Sequence, residues 1–145
     1  MLLYKNHRLH CEGVSFALPN GYYLDTNYGD SPEDSLDFWT EDESLRVRIA
    51  IERETKGPLA ELNYVIRELE DCTVLEGPEA IVMNGLAGYK ATYDTDRTQY
   101  CEMRFAISGT GDNQTELMLL LVGDSKLPSN EMIMRLIQEI SPMKE

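Results

Sequence analysis

Two histidines, three cysteines and 26 carboxylates are the groups in this chain suited to ligation, nucleophilic attack or proton transfer. His7-x-x-His10-Cys11 has the residue types of a metal-ligand cluster. Three positions along an extended strand point to opposite faces, so those groups converge only on a helix or a bend. The segment therefore reads as a polar edge strand that holds no metal. A catalytic thiol needs a neighbouring base. Cys101 falls on an apolar strand face and Cys72 just after a helix, so both read as small, buried or half-buried hydrophobes. Asp94-x-Asp96 with Glu102 has part of a calcium-loop pattern, but the central glycine and the closing glutamate are missing. A hairpin tip with exposed carboxylates explains it. Gly109-Thr110-Gly111 lacks the third glycine and the following helix of a phosphate cradle. There is no Gly-x-Ser-x-Gly nucleophile elbow, and no carboxylate pair stands in an apolar setting that would raise one pKa. The residues give no positive signal for catalysis and imply no cofactor.

The charge is more informative. In 145 residues there are 13 Lys and Arg against 26 Asp and Glu, a formal net charge of −13. Phosphate contacts need clustered basic residues, so nucleic acid is excluded as a partner, and so is an anionic membrane surface. Nine of the acidic residues lie between Glu12 and Ser44, where there is no Lys or Arg. This stretch, with Asp30, Glu33, Asp34 and Asp37 at its centre, reads either as a solvated face that keeps the protein soluble or as a docking surface for a basic partner. The odd, widely spaced cysteines (Cys11, Cys72, Cys101) suit free thiols in a reducing cytoplasm better than a disulfide framework. The N-terminal residues carry no signal-peptide pattern. The longest apolar run, Leu117 to Val122, has strand length and falls far short of a membrane-spanning helix.

Hydrophobic periodicity sets out the elements. Val14, Phe16 and Leu18 alternate in a strand stopped by Pro19-Asn20-Gly21, and Tyr22 to Leu24 restart an extended segment. Leu36 and Phe38 alternate with Asp37 and Trp39. Leu45 to Glu52 is the cleanest strand, with Leu45, Val47, Ile49 and Ile51 on one face. A helix opens after Gly57-Pro58, with Leu59, Leu62, Val65, Ile66 and Leu69 as its apolar stripe, and fades near Asp71. Strand candidates follow at Thr73 to Glu76, Ala80 to Met83, Ala87 to Tyr93 and Thr98 to Ser108. Asn84-Gly85 is a turn, and Gly109 to Gln114 a polar loop. Leu117 to Val122 is apolar on both faces and should be a central strand covered on both sides. Ser129 caps a second helix with Met132, Ile133, Leu136, Ile137 and Ile140 as its stripe, stopped by Ser141-Pro142. With no internal linker or repeat, the order describes one α+β domain over 1–145, an antiparallel sheet with packed helices.

These registers place Trp39, Arg46, Arg48, Tyr100, Glu102 and Arg104 on the wetter sheet face. Aromatic residues and arginines are enriched in interface hot spots. Two readings stay open: a partner-binding surface, or a face that a helix covers and whose residues pair with one another. An exposed sheet face also offers a surface for a homodimer.

Val14-Ser15-Phe16-Ala17-Leu18-Pro19-Asn20-Gly21-Tyr22 resembles the strand-turn signature Phe-x-Leu-Pro-x-Gly-aromatic of the PsbP-like group. The later order is similar too, through Asn84-Gly85-Leu86-Ala87-Gly88-Tyr89 to a terminal helix. That superfamily includes a Ran-binding import factor and bacterial chaperones of secreted effectors. The resemblance implies an antiparallel sheet between helices, in an α/β/α-like sandwich. It also implies action by binding other proteins, with no shared catalytic set. The expectation is a cytoplasmic, bacterial, chaperone-like adaptor that holds a protein partner through Trp39, Arg46, Arg48, Tyr100 and Arg104 or through the acidic stretch. The alternative is a small-molecule binder or enzyme whose site assembles only in three dimensions.

Overall fold

A computed structural model describes residues 2–24, 35–124 and 126–145. At the N-terminus, β1 (Leu3–Lys5), β2 (Arg8–Cys11) and β3 (Val14–Phe16) pair antiparallel, and the C-terminal β11 (Met143–Lys144) joins β3. The larger sheet has β4 (Tyr22–Leu24), β5 (Ser35–Thr40), β6 (Leu45–Thr55), β7 (Thr73–Met83), β8 (Leu86–Thr95), β9 (Thr98–Thr110) and β10 (Asn113–Asp124). Their order is β4-β5-β6-β10-β9-β8-β7, antiparallel throughout. Helix α1 (Pro58–Glu68) follows β6, and α2 (Asn130–Ile140) follows β10.

The alternation in β6, β9 and β10 decides the layers. Val47, Ile49, Met103, Phe105, Leu117, Leu119 and Leu121 project to one face and are buried there. Against them pack Ile133, Leu136, Ile137 and Ile140 of α2 and Cys11, Val14 and Phe16 of the small sheet, in one continuous core. On the opposite face Leu62 of α1 is buried on Ala91 and Tyr93. The architecture is therefore α+β, with helices on both faces of the antiparallel sheet. Strand β10 occupies the middle of the seven, as its two-sided apolarity requires.

Several segments differ from the sequence reading. His7 lies in the turn of a β1–β2 hairpin, at φ 62°, and His10 is hydrogen-bonded to Glu145. β7 is one strand of eleven residues rather than two; bulges at Val74/Glu76 and Glu76/Glu79 absorb Gly77-Pro78. The polar loop after Ile107 is mostly strand, since β9 runs to Thr110 and β10 starts at Asn113. Met132 stands 57% exposed although it belongs to the apolar stripe of α2.

The cap of α2 forms as its sequence suggests. Met132 N–H donates to Ser129 Oγ at 3.3 Å, and at the other end Ser141 takes the left-handed conformation with its N–H donating to the Ile137 carbonyl. Ser129→Ala should cost about 1 kcal/mol, read as a lowered melting temperature, while Ser129→Asp retains the wild-type value. Equal melting temperatures for Ser129→Ala and wild type would show that the cap contributes nothing.

Candidate functional site

Two cavities share one end of the large sheet, and the β5–β6 turn builds both. In that turn Thr40 Oγ1, Ser44 Oγ and Ser44 N–H all donate to Asp42 Oδ1, at 2.7, 2.7 and 3.0 Å. Hydrogen bonds from Ser44 and then Thr40 bring the Asp42 carboxyl down to about 2, so it is ionised at neutral pH. Leu45 N–H donates to Thr40 Oγ1, and Glu43 holds a positive φ of 59° that closes the turn. Asp124 N–H donates to the Ser44 carbonyl at 3.1 Å, which ties the turn to the end of β10.

On the α2 side of this junction lies a groove of about 810 Å³. Tyr22, Leu45, Leu127, Pro128, Met132 and Leu136 supply its apolar surface. Glu41, Asp42 and Asp124 form an acidic rim, with Lys126 the one cation among the lining residues. Burial, followed by the charges of Glu139 and Asp42, pushes the Tyr22 phenol upward, so it stays a neutral donor. Sequence reasoning missed this groove. Its one signal was Met132, an apolar residue at the start of a stripe already long enough to cover the sheet.

On the other face is a cleft of about 410 Å³. One row of the sheet ladder builds it: Trp39 lies opposite Arg46, Arg46 opposite Val122, and Val122 opposite Tyr100. Ser44, Thr98, Glu43, Gly123 and Asp124 complete the lining. The Arg46 guanidinium lies 5.7 Å from the centroid of the Trp39 ring, within cation–π range. Glu43 accepts from the Tyr23 hydroxyl at 2.9 Å.

Thus Trp39, Arg46 and Tyr100 come together. The other expected contact residues do not join them. Arg48 stands opposite Asp37 across β5 and β6 and binds its carboxylate through both Nε and Nη2 at 2.9 Å. This corrects the reading of Asp37 as part of a solvated acidic stretch. It is only 2% exposed, because the facing guanidinium lets its charge be buried. Arg104 is likewise buried. Its Nε donates to Glu102 at 2.6 Å and its Nη1 to Glu52 and Glu116 at 2.8 and 2.5 Å. Tyr93 donates to Glu102 and Thr55 to Glu116, completing a network beneath the sheet surface. The face expected to be wet is therefore divided. α1 covers β8 and β9, where Tyr100 stacks on Tyr93 at 5.1 Å, internal pairing occupies Arg48 and Arg104, and the row from Trp39 to Tyr100 lines the cleft. Asp30, Glu33 and Asp34 lie outside the described residues.

Apart from the Tyr22 phenol in the groove, the groups raised most by burial lie away from both cavities. Burial raises the Glu116 carboxyl and the Cys101 thiol, and burial with the Glu102 charge raises the Tyr93 phenol. None of the three lines either cavity. Among the described residues no helix is long and apolar enough to cross a membrane.

Neither a protein-family model nor a curated protein sequence matches the chain. Solved structures do match it in fold. LpqN, involved in cell envelope biogenesis of Mycobacterium tuberculosis, superposes with a TM-score of 0.60 at 9% identity, covering 90% of this chain and 82% of that one. A crystal structure from Bacteroides thetaiotaomicron VPI-5482 gives 0.50 at 11% identity, covering 92% of this chain and 45% of that one. At such identities the likeness is one of fold alone. This chain is an α+β protein that shares the architecture of LpqN.

Proposed function

We propose that this protein is a non-catalytic binding module of PsbP-like type that holds a protein segment in the groove between the β5–β6 turn and α2. The observation that carries this reading is the pairing of an apolar groove with an acidic rim. Met132 is held exposed within it, and Glu41, Asp42 and Asp124 stand at its edge. That surface suits a segment with one or two apolar anchors flanked by Lys or Arg. Apolar burial supplies affinity, while the rim steers and orients. The −13 charge of the whole chain favours the same partner. The strand-turn signature at Phe16 to Tyr22 and the architecture shared with LpqN support the PsbP-like assignment, whose members act by binding proteins. The pKa pattern supports binding over catalysis. The Asp42 carboxyl in the groove is lowered, opposite to what a general acid requires, the raised Tyr22 phenol stays protonated there, and the raised Glu116 carboxyl and Cys101 thiol lie elsewhere.

A photo-crosslinking residue placed at Met132 in source cells tests this. The expected result is an adduct with one protein species, weakened by added salt. The same residue at exposed Gln138 should give no such adduct. Matching patterns at the two positions, or no adduct at Met132, would sink the proposal.

A further inference from the structure

We infer that the cleft holding Trp39, Arg46 and Tyr100 is a binding site for a small zwitterion of the α-amino-acid type. This inference does not rest on the groove on the opposite face. The first observation is the state of Arg46. The neighbouring Arg48 and the more distant Arg104 are both bound by carboxylates. Arg46 makes no ion pair among the described residues, and its Nε is buried without a hydrogen-bond partner. That atom is covered by the protein itself, so the part of Arg46 that a ligand in the cleft can reach is the outer edge of the guanidinium, its two Nη groups. The planar guanidinium fork, lying against Trp39, matches a carboxylate best.

The second observation is the charge of the remaining lining. Glu43 and Asp124 also face this cleft, and neither pairs with Arg46. A simple anion would meet Arg46 but also two carboxylates in the field of a strongly acidic protein. A simple cation would meet the carboxylates but leave the Arg46 donor empty. A molecule with a carboxylate and an ammonium on one carbon meets both. Its carboxylate takes the Arg46 fork and its ammonium takes Asp124 or Glu43. The Ser44 and Thr98 hydroxyls add hydrogen-bonding capacity, and Trp39, Val122 and Tyr100 offer apolar surface to the ligand's side chain. About 410 Å³ is within the range of small-molecule pockets, roughly 300–1,000 Å³.

Trp39 is the single tryptophan of the chain, so its fluorescence reports this cleft alone. The intact protein is titrated with each proteinogenic amino acid in turn. The best ligand is then compared with its N-acetyl and carboxamide forms. The expected result is a saturable change with at least one amino acid. Each blocked form should bind roughly tenfold or more weakly, because each loses a charge-assisted hydrogen bond. Arg46→Gln should abolish the response while keeping the wild-type circular dichroism. Asp124→Asn, at the exposed end of β10, is a second variant and should weaken binding if Arg46→Gln fails to fold. No saturable change with any amino acid, blocked forms that bind as tightly as the free one, or wild-type binding by folded Arg46→Gln would each overturn the assignment.

Discussion

Arg104→Met should destabilise the protein by about 3–5 kcal/mol, the usual consequence of removing one partner from a buried ionic cluster. Three glutamates converge on this guanidinium, and two of them, Glu102 and Glu116, have side chains only 3% and 0% exposed. Burial alone would lower the Arg104 pKa, but Glu102 and Glu52 outweigh it and hold the guanidinium charged. Without Arg104, the sheet would enclose two carboxylates with no cation beside them. Chemical denaturation at neutral pH reads the loss directly. A deficit under about 1 kcal/mol would show that the cluster is solvated well enough to need no cation, as exposed ion pairs are.

The same cluster predicts an asymmetry. One cation faces three carboxylates, so the network carries excess negative charge. Burial raises the Glu116 pKa, and the Arg104 hydrogen bond and charge only partly oppose this. A carboxyl whose folded-state pKa stands above its unfolded value stabilises below the unfolded pKa. That contribution is lost as pH rises through the folded value. Ionised Glu116 therefore works against folding at neutral pH. Glu116→Gln keeps an oxygen for Arg104 and turns an amide N–H toward the Thr55 hydroxyl oxygen, without the charge, and should raise the melting temperature at pH 7, with the gain shrinking as pH falls. A Glu116→Gln protein as unstable as Arg104→Met would show that the Arg104–Glu116 pair outweighs desolvation.

The one-dimensional pattern disclosed the fold because the core is built from short periods. The alternation Leu45-Val47-Ile49-Ile51 and the two-sided apolarity of Leu117 to Val122 identify the sheet and its centre before any pairing is known. The turn at Asn84-Gly85 forms with positive φ at both residues, 48° and 84°. Hidden from the sequence was what distant strands bring opposite one another. Asp37 looks solvated until β5 places it across from Arg48. Arg104 looks like an interface residue until Glu52 and Glu116 arrive from β6 and β10. Trp39, Arg46 and Tyr100 could be assigned to one face by parity. Their sharing of one cleft depended on the strand order β5-β6-β10-β9, which no local pattern encodes. Met132 misled for a related reason: helical periodicity assigns a residue to a stripe but does not say where the stripe runs past the sheet it covers.

Gly88→Ala tests how closely that sheet is fitted. Gly88 lies in β8 opposite Phe105, and its backbone is not in the left-handed region, so alanine meets no conformational objection. Space is the obstacle. A Cβ there would stand 2.0 Å from the Arg104 carbonyl oxygen and 2.9 Å from the Phe105 Cα, both backbone atoms that no rotamer change can move aside. Strand β9 must shift, and it carries Phe105 into the α2-side core and Arg104 into the glutamate network. The expected loss is about 3 kcal/mol or more, at the upper end of overpacking effects. Gly85→Ala is the informative comparison. A Cβ there meets nothing within 4 Å, but φ is +84°. Its cost should be limited to the left-handed backbone penalty of about 1–2 kcal/mol. If Gly88→Ala proves the milder of the two, β8 and β9 are less tightly apposed than the ladder requires. The Arg104 cluster, whose geometry depends on that apposition, would then be looser as well.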